Sequence, residues 1–341
     1  MRVSVIIPTY NRAALLAHTL AAILAQTRPA EEIIVVDDGS TDPTAELLAA
    51  FPPPVRGLRI ANSGDLAARN AGLAAATGDL VAFCDSDDLW RPEFLAEMLY
   101  LWEIAPDLHA AYSDFVLVRG DTWETATKFA AAPEGFWDGL RPLGPAEGVF
   151  EQPVFDRLIR FQPLFASCIV AKTDWFRGIG GWDDGVGRIL SGDFATALRL
   201  AAHPPLGILR KPLAGIRKHA ANFSGNTLRT GLGEAEVLEY VLATHPTAAP
   251  FAAELRASIG LRRRQALAGA FAAGEYAMVQ SIYDLLPPAQ RSASVRLKHA
   301  VSGLPEPVRA ALSAALLAGG TVRSRLRVEP CRPTPPRCRP R

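Results

Sequence analysis

Residues 31–40 read EEIIVVDDGS, an apolar run from Ile33 to Val36 that stops abruptly in Asp37, Asp38, Gly39 and Ser40. A run without polar alternation fits a strand covered on both faces of a sheet. Its abrupt end places carboxylates at the strand's carboxyl terminus. Outward from this stretch the pattern repeats. RVSVII at 2–7 runs into Pro8, and LVAFC at 80–84 runs into Asp85-Ser86-Asp87-Asp88. Residues 55–60 and 167–172 read as further strands. Helical patterns lie between them. Leu15, Leu16, Leu20, Ile23 and Leu24 fall broadly on one face over 12–27, a short helix opens near Pro43, and the Ala-rich stretch 65–76 stops at Gly78. Another helix runs from Pro92 to about Ile104.

Strands alternating with helices build right-handed βαβ units. The expected class is therefore α/β, a Rossmann-like, mostly parallel sheet flanked by helices, with a helical extension at the C-terminal side. Ligands of open sheets of this kind bind beyond the carboxyl ends of the strands. Tyr10, Asn11, Asp37, Asp38 and Asp85 to Asp88 all fall there. Residues 119–165 are rich in Gly, Pro and aromatic residues and read as an insertion that shapes a pocket. From about 228 to 318 the pattern is helical and Ala-rich. The expected organisation is one domain over 1–225, in two halves (1–118 and 119–225), then a helical region over 226–320 and a disordered tail over 321–341.

Composition excludes several classes. The 341 residues are 49% hydrophobic and 21% charged, with a formal net charge of +1, so nothing points to a nucleic-acid partner. Seven Arg and one Glu in 321–341 give that tail +6, which leaves the body about −5. Cys84, Cys168, Cys331 and Cys338 fit neither a zinc module nor a disulfide framework. Together with a strand pattern that starts at Val3 and no apolar run of 18 residues, this predicts a cytoplasmic protein without a membrane span. The basic tail has a second reading, in which it joins the preceding helix on an anionic membrane surface as a peripheral contact.

Asp85-Ser86-Asp87-Asp88 is the strongest chemical feature. Carboxylates two residues apart can share one hard divalent cation, and such a cation bridges diphosphates and neutralises a departing nucleotide. The competing role is capping of the helix near Pro92. Asp37 can accept from a nucleobase N–H, or simply shape a βα turn. Arg69 can fork onto a diphosphate or base edge, or remain a solvated charge. Asp193, after Ser191-Gly192, can take a proton from a hydroxyl or cap the helix that follows. Arg217, His219 and Asn222 form a last polar group, in which a neutral imidazole can ligate metal.

Taken as a set, these segments resemble the family 2 glycosyltransferases of the GT-A fold. The matching residues are Pro8-Thr9-Tyr10-Asn11-Arg12, Glu32 through Asp42, Ala68-Arg69-Asn70-Ala71-Gly72, Gly78-Asp79, Asp85-Ser86-Asp87-Asp88 and Gly180-Gly181-Trp182-Asp183. The resemblance covers roughly residues 1–225. It implies that Pro8, Tyr10 and Asp37 line a nucleoside pocket and that Arg69 contacts the base or diphosphate. Asp85 and Ser86 would face the donor, Asp87 would hold a divalent metal (Mn²⁺ or Mg²⁺), Asp193 would be the general base, and His219 would close on the metal or diphosphate. One departure stands out. The family usually has Glu-Asp where this chain has Gly192-Asp193, so acceptor choice and rate are affected more than donor binding. Asp183 or Asp184 is a candidate substitute for the missing acid.

The resemblance thus implies an inverting transferase that moves a sugar from a nucleotide-diphosphate sugar, a UDP-sugar being favoured, to a hydroxyl on a glycan or lipid-linked acceptor. Two rivals stand beside it. A nucleotidyltransferase would carry a Gly-rich phosphate loop where Pro8-Thr9-Tyr10-Asn11 stands. A catalytically silent nucleotide-sugar-binding or scaffolding protein would keep the fold without the chemistry.

Overall fold

The computed structural model describes residues 1–219 and 227–325. Asn222 and residues 326–341, with Cys331 and Cys338, lie outside the described residues. The chain divides into two compact units, Met1–Ile259 and Gly260–Arg341.

The first unit is built on one mixed sheet. Its strands are β1 (Val3–Thr9), β2 (Glu32–Asp37), β3 (Val55–Arg59), β4 (Leu80–Phe83), β5 (Leu89–Trp90), β6 (Ala110–Arg119), β7 (Thr122–Thr127), β8 (Leu140–Pro142), β9 (Glu147–Phe150), β10 (Ile169–Lys172) and β11 (Leu206–Lys218). The order is β3-β2-β1-β4-β10-β6-β11-β9-β8, with β5 on β11 and β7 on β6. The parallel N-terminal half follows from its composition. Val3, Val5, Ile6, Ile7, Ile33 to Val36 and Leu80 to Phe83 are all buried, so these strands need cover on both faces. Helices α1 (Ala13–Leu24) and α3 (Asp65–Ala75) give part of that cover, the first through Leu16, Thr19, Leu20 and Ile23. Gly72 lets α3 settle close to β1, because a Cβ there would lie 2.4 Å from Ile6 Cγ2. The short α2 (Thr44–Ala49) and α4 (Phe94–Ile104) complete the pattern read in the sequence.

Register decides where the polar strand ends meet. Thr9 pairs with Asp37, and Asp37 with Arg59. Ile6 pairs with Phe83, so the Asp85 turn leaves the sheet at the same edge.

Two strands carry the C-terminal half of the sheet without having been anticipated. They are β6 and the 13-residue β11, which run parallel to each other. Register shifts on either side of Pro212 let β11 continue past a residue that cannot donate to the ladder. It then pairs with β5 and delivers Arg217 to the acidic turn. Residues 119–165 are more regular than the sequence suggested, holding β7, β8, β9 and α5 (Phe155–Arg160). Helices α6 (Thr173–Gly178) and α7 (Asp193–Ala201) follow β10.

The first unit also extends beyond residue 225. Val237, Leu238 and Val241 of α8 (Thr227–Thr244) and Leu255 and Ile259 of α9 (Ala252–Ala272) are buried in the same apolar core as the sheet. A purely helical pattern cannot reveal which neighbour its apolar face will cover.

The second unit contains the rest of α9, α10 (Tyr276–Asp284), α11 (Ala293–Ser302) and α12 (Val308–Arg325), with Leu267, Phe271, Val279 and Ile282 buried. Helix α12 carries regular structure to Arg325, five residues into the segment expected to be disordered. Among the described residues no helix is long and apolar enough to cross a membrane.

Candidate active site

The acidic turn after β4 is held from three sides. The Asp85 amide donates to Ser167 Oγ (3.0 Å), and that hydroxyl donates to Asp88 Oδ2 (2.5 Å). The Arg217 amide donates to Asp88 Oδ1 (3.0 Å), and Thr19 Oγ1 donates to the carbonyls of Ser86 and Asp88. Asp88 is therefore spent on the fold of the turn. Burial, with Asp87 and Asp85 beside it, pushes its carboxyl well above the ordinary range. Ser86 is 2% exposed, and its carbonyl accepts from Thr19 of α1. The capping roles considered for these acids are not observed. Helix α4 starts at Phe94 with Glu93 as its cap residue and no side-chain cap.

Asp87 Oδ2 meets two cationic or neutral nitrogen groups, Arg12 Nη1 at 2.8 Å and His219 Nε2 at 3.1 Å. Asp85 Oδ1 accepts from Arg69 Nη2 at 2.5 Å, and Arg69 Nη1 donates to Asp65 Oδ2 at 2.5 Å. The Arg69 guanidinium also lies 5.0 Å from the Trp182 ring centroid. Arg69 is 3% exposed, so it is no solvated surface charge. Burial opposes its charge, but Asp85, Asp65 and Asp193 outweigh burial and hold it above its ordinary pKa. Burial also raises the Asp85 carboxyl, with Arg69 opposing.

Asp193 opens α7 as its first helical residue. The cap position is Gly192, and no side chain caps the helix. The half-buried Asp193 carboxyl is pushed up to about 7. Burial is the main cause, Arg69 opposes it, and Asp85 and Asp65 push the same way as burial. At that value the group exchanges a proton near neutral pH.

Asp37 lies at the same sheet edge with both oxygens engaged, Oδ1 by the Ser40 amide (2.8 Å) and Oδ2 by Arg59 Nη1 (2.6 Å). Pro8 is buried and Tyr10 is 46% exposed at the rim. Asn11 cross-links the first two strand ends by accepting from the Thr41 amide (2.7 Å) and donating its own amide to Ser40 Oγ (2.9 Å). The structure thus gathers Arg69, Asp85, Asp87, Asp193 and His219 into one network, with Pro8, Tyr10 and Asp37 beside it on β1 and β2.

The model of Glycosyl transferase family 2 matches residues 4–140. Over residues 4–140 the chain is similar to the family 2 glycosyltransferases. A glycosyltransferase of Nostoc sp. is 41% identical over 107 residues, which is 30% of this chain and 33% of that protein. The putative teichuronic acid biosynthesis glycosyltransferase TuaG of Bacillus subtilis is 40% identical over 101 residues, 28% of this chain and 40% of TuaG. The chain thus spans only about a third of the length of the first of these relatives. Among solved structures, S. aureus TarS 1–349 in complex with UDP-GlcNAc superposes with a TM-score of 0.58 at 16% identity, over 94% of this chain and 92% of that one. The mannosyltransferase PcManGT of Pyrobaculum calidifontis, in complex with GDP-Man and Mn²⁺, gives 0.52 at 21% identity, over 96% and 88%. At these identities the likeness establishes the fold, which is GT-A.

The acidic turn brings three carboxylates together. Asp85, Asp87 and Asp88 each offer a carboxylate oxygen, and these oxygens lie within 4.8 Å of one another. Asp88 is committed to Ser167 and the Arg217 amide, so within this set Asp85 and Asp87 are the carboxylates whose oxygens suit a hard cation.

Several residues of this site gave no signal in the sequence. Ser167 and Thr19 are isolated hydroxyls that become the supports of the acidic turn. Arg12 stood in a recognised segment but had no role. Asn70 clamps the loop before α7 by a reciprocal pair with the Trp182 backbone, both bonds at 2.8 Å. Asp183 cannot replace the acid missing at 192. Its oxygens take Tyr240 OH at 2.7 Å and His245 Nε2 at 2.6 Å, tying α8 to the loop. These hydrogen bonds outweigh burial and hold its carboxyl below the usual range.

Proposed function

We propose that this chain is an inverting glycosyltransferase that moves a sugar from a nucleotide-diphosphate sugar to an acceptor hydroxyl in glycan or polysaccharide biosynthesis. The observation that carries the proposal is the pairing of two unlike acid groups within one network. Asp85 and Asp87 sit at a strand end among Arg69, Arg12 and His219, and Asp193 holds its proton up to about 7.

The acceptor hydroxyl loses its proton to an Asp193 oxygen while its oxygen bonds to the anomeric carbon. The bond from that carbon to the diphosphate oxygen breaks in the same displacement, so the configuration inverts. Asp85 and Asp87, with His219 beside them, are the residues that would hold a divalent metal (Mn²⁺ or Mg²⁺). When bound, that ion supplies charge neutralisation for the departing nucleotide. Arg69 orients Asp85 and adds fixed positive charge next to it. Pro8, Tyr10 and Asp37 receive the nucleoside, and a uridine donor is the favoured case. The name of TuaG, which refers to teichuronic acid biosynthesis, supports a polysaccharide setting. In this reading residues 1–118 hold the donor and 119–225 the acceptor, and the protein works in the cytoplasm, with peripheral membrane contact through its C-terminal region.

A thermal-shift screen of UDP, GDP and dTDP, with and without Mn²⁺ or Mg²⁺, tests the donor site. A ligand that binds only the native state raises its stability by mass action. A metal-dependent shift with one nucleotide, lost in Asp87→Ala, is expected. The absence of a shift with every nucleotide would overturn the reading.

A further inference from the structure

Lys128 follows β7 at the margin of the candidate acceptor region and is fixed by its backbone. Its amide donates to the Phe115 carbonyl at 3.0 Å, and the next amide, of Phe129, donates to Asp114 Oδ1 at 2.9 Å. The ammonium sits over two rings, with Nζ 4.5 Å from the Phe161 centroid and 5.8 Å from that of Phe165. It is half-buried, and among the described residues no carboxylate lies within ion-pair distance of it. Burial lowers its pKa, Glu234 opposes that in part, and Lys218 lowers it further. A partly desolvated cation is normally paired. Ring faces compensate it in part and leave its N–H donors open.

The position of this cation gives it meaning. Phe165, part of its floor, directly precedes Ala166, whose backbone hydrogen-bonds the Asp193 carboxylate. From Gly185 to Ala195 the only acid is Asp193, with Gly192 before it, so no second carboxylate of that segment repels an anion there.

We propose that Lys128, on its floor of Phe161 and Phe165, binds an oxyanion of the acceptor, so that this enzyme selects acceptors carrying a phosphate or carboxylate near the reacting hydroxyl. An ammonium recognises such a group as a point charge with three donors. The inference rests on the glycosyltransferase reading above and deepens its acceptor half.

The full-length chain is titrated with glycerol 1-phosphate, glucuronate and glycerol, both alone and saturated with metal and the nucleotide found in the thermal-shift screen. Binding is followed by NMR of reductively methylated lysines, and absence of a peak in Lys128→Arg assigns the Lys128 signal. That signal should move with glycerol 1-phosphate, with glucuronate, or with both, and stay still with glycerol. The responding anion then identifies the source as phosphate or carboxylate. Lys128→Met should weaken anion binding at least tenfold while keeping the nucleotide shift, and Lys128→Arg should restore most of it. A Lys128 signal unmoved by either anion, or equal response to glycerol, would overturn the proposal. The wild-type signal alone decides the matter if Lys128→Met does not fold. Nucleotide binding in the same samples reports separately on the donor reading.

Discussion

Arg69 donates to Asp85 through Nη2 at 2.5 Å while its other Nη nitrogen holds Asp65 at 2.5 Å. One buried guanidinium thus spans a carboxylate of its own helix and a carboxylate of the acidic turn. Removing one partner of a buried pair leaves the other charge uncompensated. Arg69→Met is expected to cost about 3 kcal/mol, toward the low end because Asp85 retains some exposure. Chemical denaturation measures this. Arg69→Lys keeps the charge without the fork, so it should recover less than half of the loss.

Asn70 makes a similar link between distant segments. Its amide both donates to and accepts from the Trp182 backbone. Asn70→Ala strands two backbone groups and should destabilise the protein by about 1–3 kcal/mol. Asn70→Asp keeps the acceptor and loses the donor, so it should fall between wild type and Asn70→Ala in the same denaturation series.

The raised Asp193 carboxyl makes opposite predictions for stability and activity. Its folded value of about 7 lies above the 3.8 usual for an aspartate in water, so between these values the native state binds more protons than the unfolded state. Its contribution to stability is then fully present below about pH 4 and is lost as pH rises through about 7. Asp193→Asn, which cannot ionise, should flatten that part of the Tm–pH profile and raise Tm at pH 8. Transfer needs the ionised form, so kcat/KM should climb with pH toward a plateau above about 7.

Gly192 marks a place where the chain has closed over a small residue. A Cβ there would lie 3.0 Å from Leu66 Cδ1 and from Val186 Cγ1 and 3.2 Å from the Ile189 carbonyl. Gly192→Ala should cost about 1–3 kcal/mol through overpacking. Shortening the obstacle in Gly192→Ala/Leu66→Ala should recover part of the Gly192→Ala loss, seen as positive coupling in a double-mutant cycle.

These residues also mark how far the sequence could be read. β1, β2 and β4 were legible because Val3 to Ile7, Ile33 to Val36 and Leu80 to Phe83 are uninterrupted apolar runs that end in turn residues. β11 was not, since Arg210, Lys211 and Pro212 break its apolar run and only the register shifts around Pro212 reconcile them with a strand. Asp85, Asp87, Asp193 and His219 could be named because carboxylates and imidazoles announce their chemistry. Their supports could not. Ser167 lies 82 positions from Asp85, and Tyr240 and His245 reach Asp183 across 57 and 62 positions. Contacts of that range are set by topology, which local pattern does not encode.

In the proposed reaction Asp193 serves as the base of a single displacement at the anomeric carbon. The most direct measurement is ¹H NMR of the sugar released or transferred from the donor chosen by the nucleotide screen, followed in wild type and in Asp193→Asn. An anomeric configuration opposite to the donor's, with turnover down roughly 10²- to 10⁴-fold in Asp193→Asn and nucleotide binding unchanged, is the predicted result. Retained configuration, or an Asp193→Asn variant as active as wild type, would contradict it.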